Sequence, residues 1–267
     1  MRSRYRVALD GVHLDSLNDD LLILDVNHGE TDFDTTTYVI AGQDGYDISN
    51  KKLLSRTVTV SFELHIYDIM ERQAACQDVI TWAKDGGYLV VNDRPGQRLA
   101  VRCKSYPAIE SVRDWTSPLQ VVFETTAVPY WEETTATSKS VSGTNTYGAV
   151  KVPGNAGDAC VGVTVTATAK ITTLQLEVRI QNSSGSWVSK SLLSLTGLSI
   201  PKNGTLTISY TGKRFLKIRD QDNKSLLANV ASASTDRLTA TCGVTNRFYV
   251  KANAKVTAAF TVRGLWL

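Results

Sequence analysis

Three histidines, His13, His28 and His65, are the only imidazoles in this chain of 267 residues. A Ser-His-Asp or Cys-His constellation needs one of them to take a proton from a nucleophile. None accompanies a nucleophile elbow or a strained glycine turn. His65 belongs to the polar side of an alternating segment, and His13 and His28 lie near acidic loops. Two carboxylate pairs, Asp32/Asp34 and Asp44/Asp47, have a spacing that serves calcium binding or glycosidic acid–base chemistry. DFDTTT nevertheless lacks the further ligands and terminal glutamate of an EF-hand loop, and reads as a solvated acidic loop. Asp93-Arg94-Pro95-Gly96 resembles a rigid active-site loop, yet Pro followed by Gly equally suits positions i+1 and i+2 of a type II turn. No Walker loop, dinucleotide fingerprint or H-E-x-x-H is present. The expectation is a protein without catalytic residues, cofactor or metal.

The elements that must position these residues follow from periodicity. TVTVSFELHIY (57–67) alternates Val58, Val60, Phe62, Leu64 and Ile66 with polar residues, which predicts a long strand buried on one face. Asp68 with Glu71 forms a capping box ahead of a helix whose apolar stripe is Ile69, Cys76, Val79, Ile80 and Ala83. Gly86-Gly87 ends that helix. YLVV (88–91), RLAVRCK (98–104) and LQVVFETTA (119–127) read as further strands. Residues 133–145, rich in Ser and Thr, read as a linker. Beyond it, CVGVTVTATA, TLQLEVRIQ, TLTISY, FLKIRD, RLTATC, RFYVKA and KVTAAFTVRGLWL predict an antiparallel β-sandwich. The chain is thus expected to be mainly β: a domain at 1–132 with one helix packed on its sheet, and a sandwich at 146–267.

Charge supports the division. Up to Glu132 the chain holds 13 Lys and Arg against 20 Asp and Glu, net −7, and from Glu133 onward 16 against 6, net +10. Residues 7–50 carry ten carboxylates and no Lys or Arg. That field would repel DNA or attract a basic partner. The basic half lacks a helix for a major groove and the stacking motif of RNA-binding sheets, which argues against nucleic-acid recognition. Trp187, after the turn NSSGS, is a candidate for stacking on a sugar, while Trp266 reads as core. Cys76, Cys103, Cys160 and Cys242 are scattered and read as small buried hydrophobes rather than a zinc or disulfide framework. No apolar run reaches about 18 residues, so no membrane span is expected. MRSRYRVALDG lacks the apolar core of a secretory signal.

The order AGQDGYDISNKKLLSRTVTVSFELHI (41–66), a helix, GGYLVVNDRPGQRLAVRCKSYPAIESVRDW (86–115) and LQVVFETTAVPYW (119–131) resembles the distal tail proteins of phages with long non-contractile tails. R-T-V-T-V, D-R-P-G and P-Y-W carry that resemblance over residues 1–132. In the second half it rests only on position and all-β character. The resemblance implies an N-terminal β-sandwich or split-barrel-like domain that builds a homohexameric ring. It also implies a C-terminal galectin-like or carbohydrate-module-like sandwich to which receptor-binding proteins attach. Implied partners are the tail tube protein, the tail-tip hub or fibre protein and the tape measure protein. DNA would pass through the bore without specific binding. The implied place is the virion tail tip, with assembly in the host cytoplasm. Glu63, Asp32 and Asp34 are then candidates for the bore, since a wall without cations does not hold phosphates. Thr57, Thr59, Ser61 and Tyr67 are candidates for a subunit contact by strand addition. Asp93, Arg94, Pro95 and Gly96 become a family marker. The alternative function is a carbohydrate-binding adhesin; a glycosidase would require one aspartate pair to be catalytic.

Overall fold

The computed structural model describes residues 4–29, 31–38, 47–108, 118–126, 128–211 and 215–267, of which 31–33, 38, 47–52 and 211 are placed by their backbone alone. The chain is mainly β and divides into two units, Met1–Trp131 and Glu132–Leu267.

The first unit contains β1 (Val7–Leu9), β2 (Val12–His13), β3 (Leu21–Asn27), β4 (Thr31–Tyr38), β5 (Asp47–Leu64), α1 (Ile69–Ala83), β6 (Gly87–Val91), β7 (Gln97–Ser105) and β8 (Leu119–Thr125). These pair antiparallel in the order β2-β1-β6-β7-β8-β5-β3, with β4 on the first half of β5. The alternation in residues 57–64 acts as expected. Val58, Val60, Phe62 and Leu64 are buried while the residues between them are half-buried. Each such side chain contributes about 1.5–3 kcal/mol relative to an exposed one. The Asp68 carboxylate accepts the N–H groups of Met70 and Glu71 and so satisfies two open donors of the first helical turn. Arg72, Ala75, Cys76, Val79 and Ala83 form the buried stripe of α1, so Ile69 and Ile80 flank the contact rather than fill it. The helix meets the sheet where Trp82 stands edge-on to Phe123 at 5.9 Å and donates its indole N–H to the Val12 carbonyl at 2.9 Å.

β9 (Trp131–Glu133) spans the boundary. The second unit continues with β10 (Thr137–Lys151), β11 (Asp158–Ala167), β12 (Leu174–Gln181), β13 (Trp187–Leu195), β14 (Thr205–Thr211), β15 (Phe215–Asp220), β16 (Thr239–Thr241), β17 (Thr245–Val262) and β18 (Leu265–Trp266). Segments RFYVKA and KVTAAFTV, expected as two strands, form the single strand β17. Its first half pairs with β12 and its second with β11. Phe248 and Phe260, one from each half, stack at 4.9 Å with rings 13° apart. The strand therefore folds over on itself and contributes to both layers of a sandwich. The Ser/Thr-rich stretch 133–145 is not a free linker over its whole length, because β10 begins at Thr137 and pairs along both halves of β17. Alternating Thr, Ser and Lys are as compatible with a solvent-facing strand as with a flexible tether, and pairing decides between them. SWVSKSLLSL, unassigned by periodicity, supplies β13 against β12.

Candidate functional site

The turn between β6 and β7 is built as its residues require. Arg94 donates its N–H to the Val91 carbonyl at 3.1 Å, and Gln97 donates to the Arg94 carbonyl at 3.2 Å. Gly96 takes φ +75°, the left-handed value that follows a proline at i+1 in a type II turn. The turn presents Asp93 to His28, 65 residues away, with Oδ2 at 2.7 Å from Nε2. Nothing in the spacing of the sequence signals this contact between an imidazole and the turn. His28 lies edge-on to the fully buried Trp131 at 5.4 Å, and the Arg94 guanidinium lies 5.3 Å from the same ring.

Among the described residues the pair is not extended to a triad. In a triad the carboxylate holds one imidazole nitrogen and the nucleophile faces the other. Here Nδ1, the nitrogen left over, is buried and meets no hydroxyl or thiol among the described residues. Arg56 is buried nearby. Desolvation holds its pKa below the ordinary arginine value, the like charge of Arg94 adds to this, and Tyr130 opposes it. The four cysteines are free, and burial is the main cause that raises the pKa of each thiol, so none is an activated thiolate. Among the described residues no three His, Cys, Asp or Glu side chains converge as a metal site would need. No helix of the described residues is long and apolar enough to cross a membrane.

The other candidates of this unit are dispersed. Glu63 is half-buried and lies 3.1 Å from His65 Nε2, so its carboxylate has a partner within the chain. Asp34 is exposed on β4, opposite Lys52 in the ladder, and Asp32 lies opposite Ser55. Glu30 and Asp44 lie outside the described residues, and Asp32 and Asp47 are placed by backbone alone. Strand addition at Thr59 and Ser61 is corrected by the pairing: β8 occupies one edge of β5 there and β3 the other, so no backbone donors remain for a neighbour. Thr57 pairs with Glu124 of β8 on one edge and lies beyond the end of the β3 ladder at Thr59. The half-buried side chains of all three and the exposed Tyr67 remain available for contact.

Trp187, the candidate for sugar stacking, belongs to a larger array on one face of the second unit. Asn246, Phe248 and Val250 point inward, so the intervening Arg247 and Tyr249 point outward. Tyr147 lies directly opposite Tyr249 in the β10–β17 ladder and stacks on it at 4.9 Å. Arg179 lies opposite Arg247 in the β12–β17 ladder and covers the Tyr249 ring at 4.2 Å. Arg247 sits over Trp187 at 3.9 Å and over Tyr147 at 4.7 Å. One face of the Trp187 ring is thus already occupied by a guanidinium. Arg179 holds Glu177 through two hydrogen bonds of 2.9 Å. Burial pushes the Glu177 carboxyl up, but the hydrogen bonds from Arg179 and Ser189 outweigh it and leave the pKa lowered. The period-two alternation of RFYVKA could have flagged Arg247 and Tyr249 as outward neighbours; their partners on other strands carry no local signal. Trp266 is half-buried rather than core.

These features define a mainly-β, two-unit protein in which, among the described side chains, the candidate residues meet in pairs and stacks or lie apart and no triad is assembled. The particular likeness is to a phage tail protein. The Dit protein (gp 19.1) of phage SPP1, described as a paradigm of the hub adsorption apparatus in phages infecting Gram-positive hosts, aligns over 97% of this chain and 98% of its own length. The TM-score is 0.73 at 14% identity, so the chain has the fold of that distal tail protein. The phage P2 baseplate in its activated conformation with calcium aligns over 97% of both chains at 8% identity, with a TM-score of 0.48. No family model and no curated protein matches the chain.

Proposed function

We propose that this chain is a structural protein of a phage tail, a hub at the distal end that joins the tail tube to the tail tip or baseplate. The observation that carries the reading is the likeness to the SPP1 hub protein across both units, at a TM-score of 0.73. The first unit builds a homohexameric ring, and the second stands as an attachment domain for receptor-binding proteins. The tail tube, tape measure and tip proteins are its neighbours in the virion, and DNA traverses the bore. The ring is assembled in the host cytoplasm and does no catalysis. Glu63, Asp32 and Asp34 line or rim the bore, where negative charge leaves phosphates unbound. The side chains of Thr57, Thr59, Ser61 and Tyr67 contribute to the subunit contact by packing rather than by strand addition.

Native mass spectrometry of the purified full chain, with negative-stain imaging of the same sample, tests this. A hexamer with a central hole is expected. A monomer at every concentration, also in the presence of tail tube protein, overturns the hub reading. The adhesin reading predicts instead a monomer that selects a glycan on an array.

A further inference from the structure

We propose that Arg247 is a docking point for a carboxylate on an acidic segment of a partner protein, presented by the outer face of β10, β12, β13 and β17. Arg179 and Arg247 are cross-strand neighbours in the same ladder, and their surroundings differ in one respect. Arg179 has a carboxylate, Glu177, on both its Nε and one terminal nitrogen at 2.9 Å. Arg247 has none. Its Nε is buried with no acceptor among the described residues, while Tyr147 and Trp187 hold the guanidinium at 4.7 Å and 3.9 Å.

Stacking against two rings fixes the guanidinium plane; the buried Nε is closed to a partner, and the two terminal nitrogens, which are not buried, form the fork. A planar fork of donors fits a carboxylate, and holding it in advance lowers the entropy lost on binding. Each ring has at least one contact within the chain. Trp187 and Tyr147 each hold Arg247, while Tyr249 meets Arg179 on one contact and Tyr147 on another. That leaves less stacking surface for a sugar, and a guanidinium fork matches a carboxylate better than a neutral hydroxyl, which favours an acidic protein segment. Charge has the same sense: the chain from Glu133 onward carries 16 Lys and Arg against 6 Asp and Glu. The exposed Lys251, two residues beyond Tyr249 on the outward side of β17, extends the basic face. The inference relies on the hub reading only for which neighbour supplies the segment.

The test is anisotropy titration of fluorescein-labelled hexaglutamate with the full chain, beside Arg247→Lys and Lys251→Gln. Arg247→Lys keeps the charge but removes the planar fork, and should weaken binding by about fivefold or more. Lys251→Gln removes a charge and should weaken it less. If Arg247→Lys also lowers the melting midpoint, Tyr147→Leu takes its place. Tyr147 is 48% exposed, and losing its ring should give a similar loss of affinity without loss of fold. Absence of binding overturns the inference, as does Arg247→Lys binding like the parent or Lys251→Gln weakening it as much. Binding of polygalacturonate in preference to hexaglutamate overturns the assignment to a protein partner. The titration is read whether or not the chain forms a ring, so its failure is distinct from failure of the hub reading.

Discussion

Replacing Gly96 by alanine separates a geometric role for the Asp93–Gly96 turn from a chemical one. A Cβ built at Gly96 meets nothing within 4 Å, so the substitution changes no contact. The whole penalty is the φ of +75°, which an L-residue adopts at about 1–2 kcal/mol. Gly86, where the helix gives way to β6, provides the comparison. Its φ is +67°, and a Cβ there would also run into the Val101 carbonyl and come within 2.8 Å of the Arg102 Cα, both backbone of β7. That strand is paired on both edges by β6 and β8 and cannot easily retreat. Gly86→Ala should therefore cost the same dihedral penalty plus a displacement of the ladder, about 3 kcal/mol or more in total. Equilibrium urea unfolding of the full chain, followed by tryptophan fluorescence, measures both. Comparable midpoint shifts for the two variants would refute the reasoning, and so would a Gly96→Ala protein as stable as the parent. Because the turn is read as scaffold, Gly96→Ala should still leave the oligomer unchanged by native mass spectrometry.

Two further outcomes concern pH in the second unit. Glu177 titrates below its ordinary value because Arg179 and Ser189 hold its charged form against the opposing effect of burial. A carboxyl with a lowered folded pKa stabilises above the unfolded value, near 4.3, and loses that contribution as pH falls through the folded value. Glu177→Gln should be less stable than the parent at neutral pH and converge with it in acid; parallel curves from neutral to acid would contradict this. Tyr210 is pushed up to about 12, mainly by burial, and its Oη accepts the Leu238 N–H at 2.7 Å. A raised folded pKa gives stability that is complete below the unfolded value near 10 and disappears as pH rises toward 12. Tyr210→Phe removes the acceptor and should lower stability at neutral pH by about 1–2 kcal/mol. It should also flatten the alkaline limb of the stability profile, and a limb as steep as the parent's would count against it.

Much of this architecture is local information. The alternation at 57–64, the Asp68 cap and the Pro95-Gly96 turn each depend on residues no more than a few positions apart. Their chemistry is set by backbone dihedrals, by hydrogen bonds to neighbouring amides and by a period of two. They could be read before any fold was known, and so could the mainly-β class. Residues such as Arg72 on α1 and the strand at Thr137–Lys151 could not. Burial of Arg72 depends on what α1 meets, and a Ser/Thr-rich run becomes strand only because β17 is there to pair with it.

The sequence by itself therefore determined the strand faces, the helix cap, the turn type and the charge asymmetry between the two halves. Only the tertiary structure brought His28 to Asp93 across 65 residues, closed both edges of β5 over residues 59–62, and gathered Trp187, Arg247, Tyr147, Tyr249 and Arg179 from four strands onto one face. The physical reason is that register between distant strands is chosen by the packing of buried faces. A shift of one residue would turn every outward side chain inward, and nothing local to Arg247 records which neighbours that choice supplies.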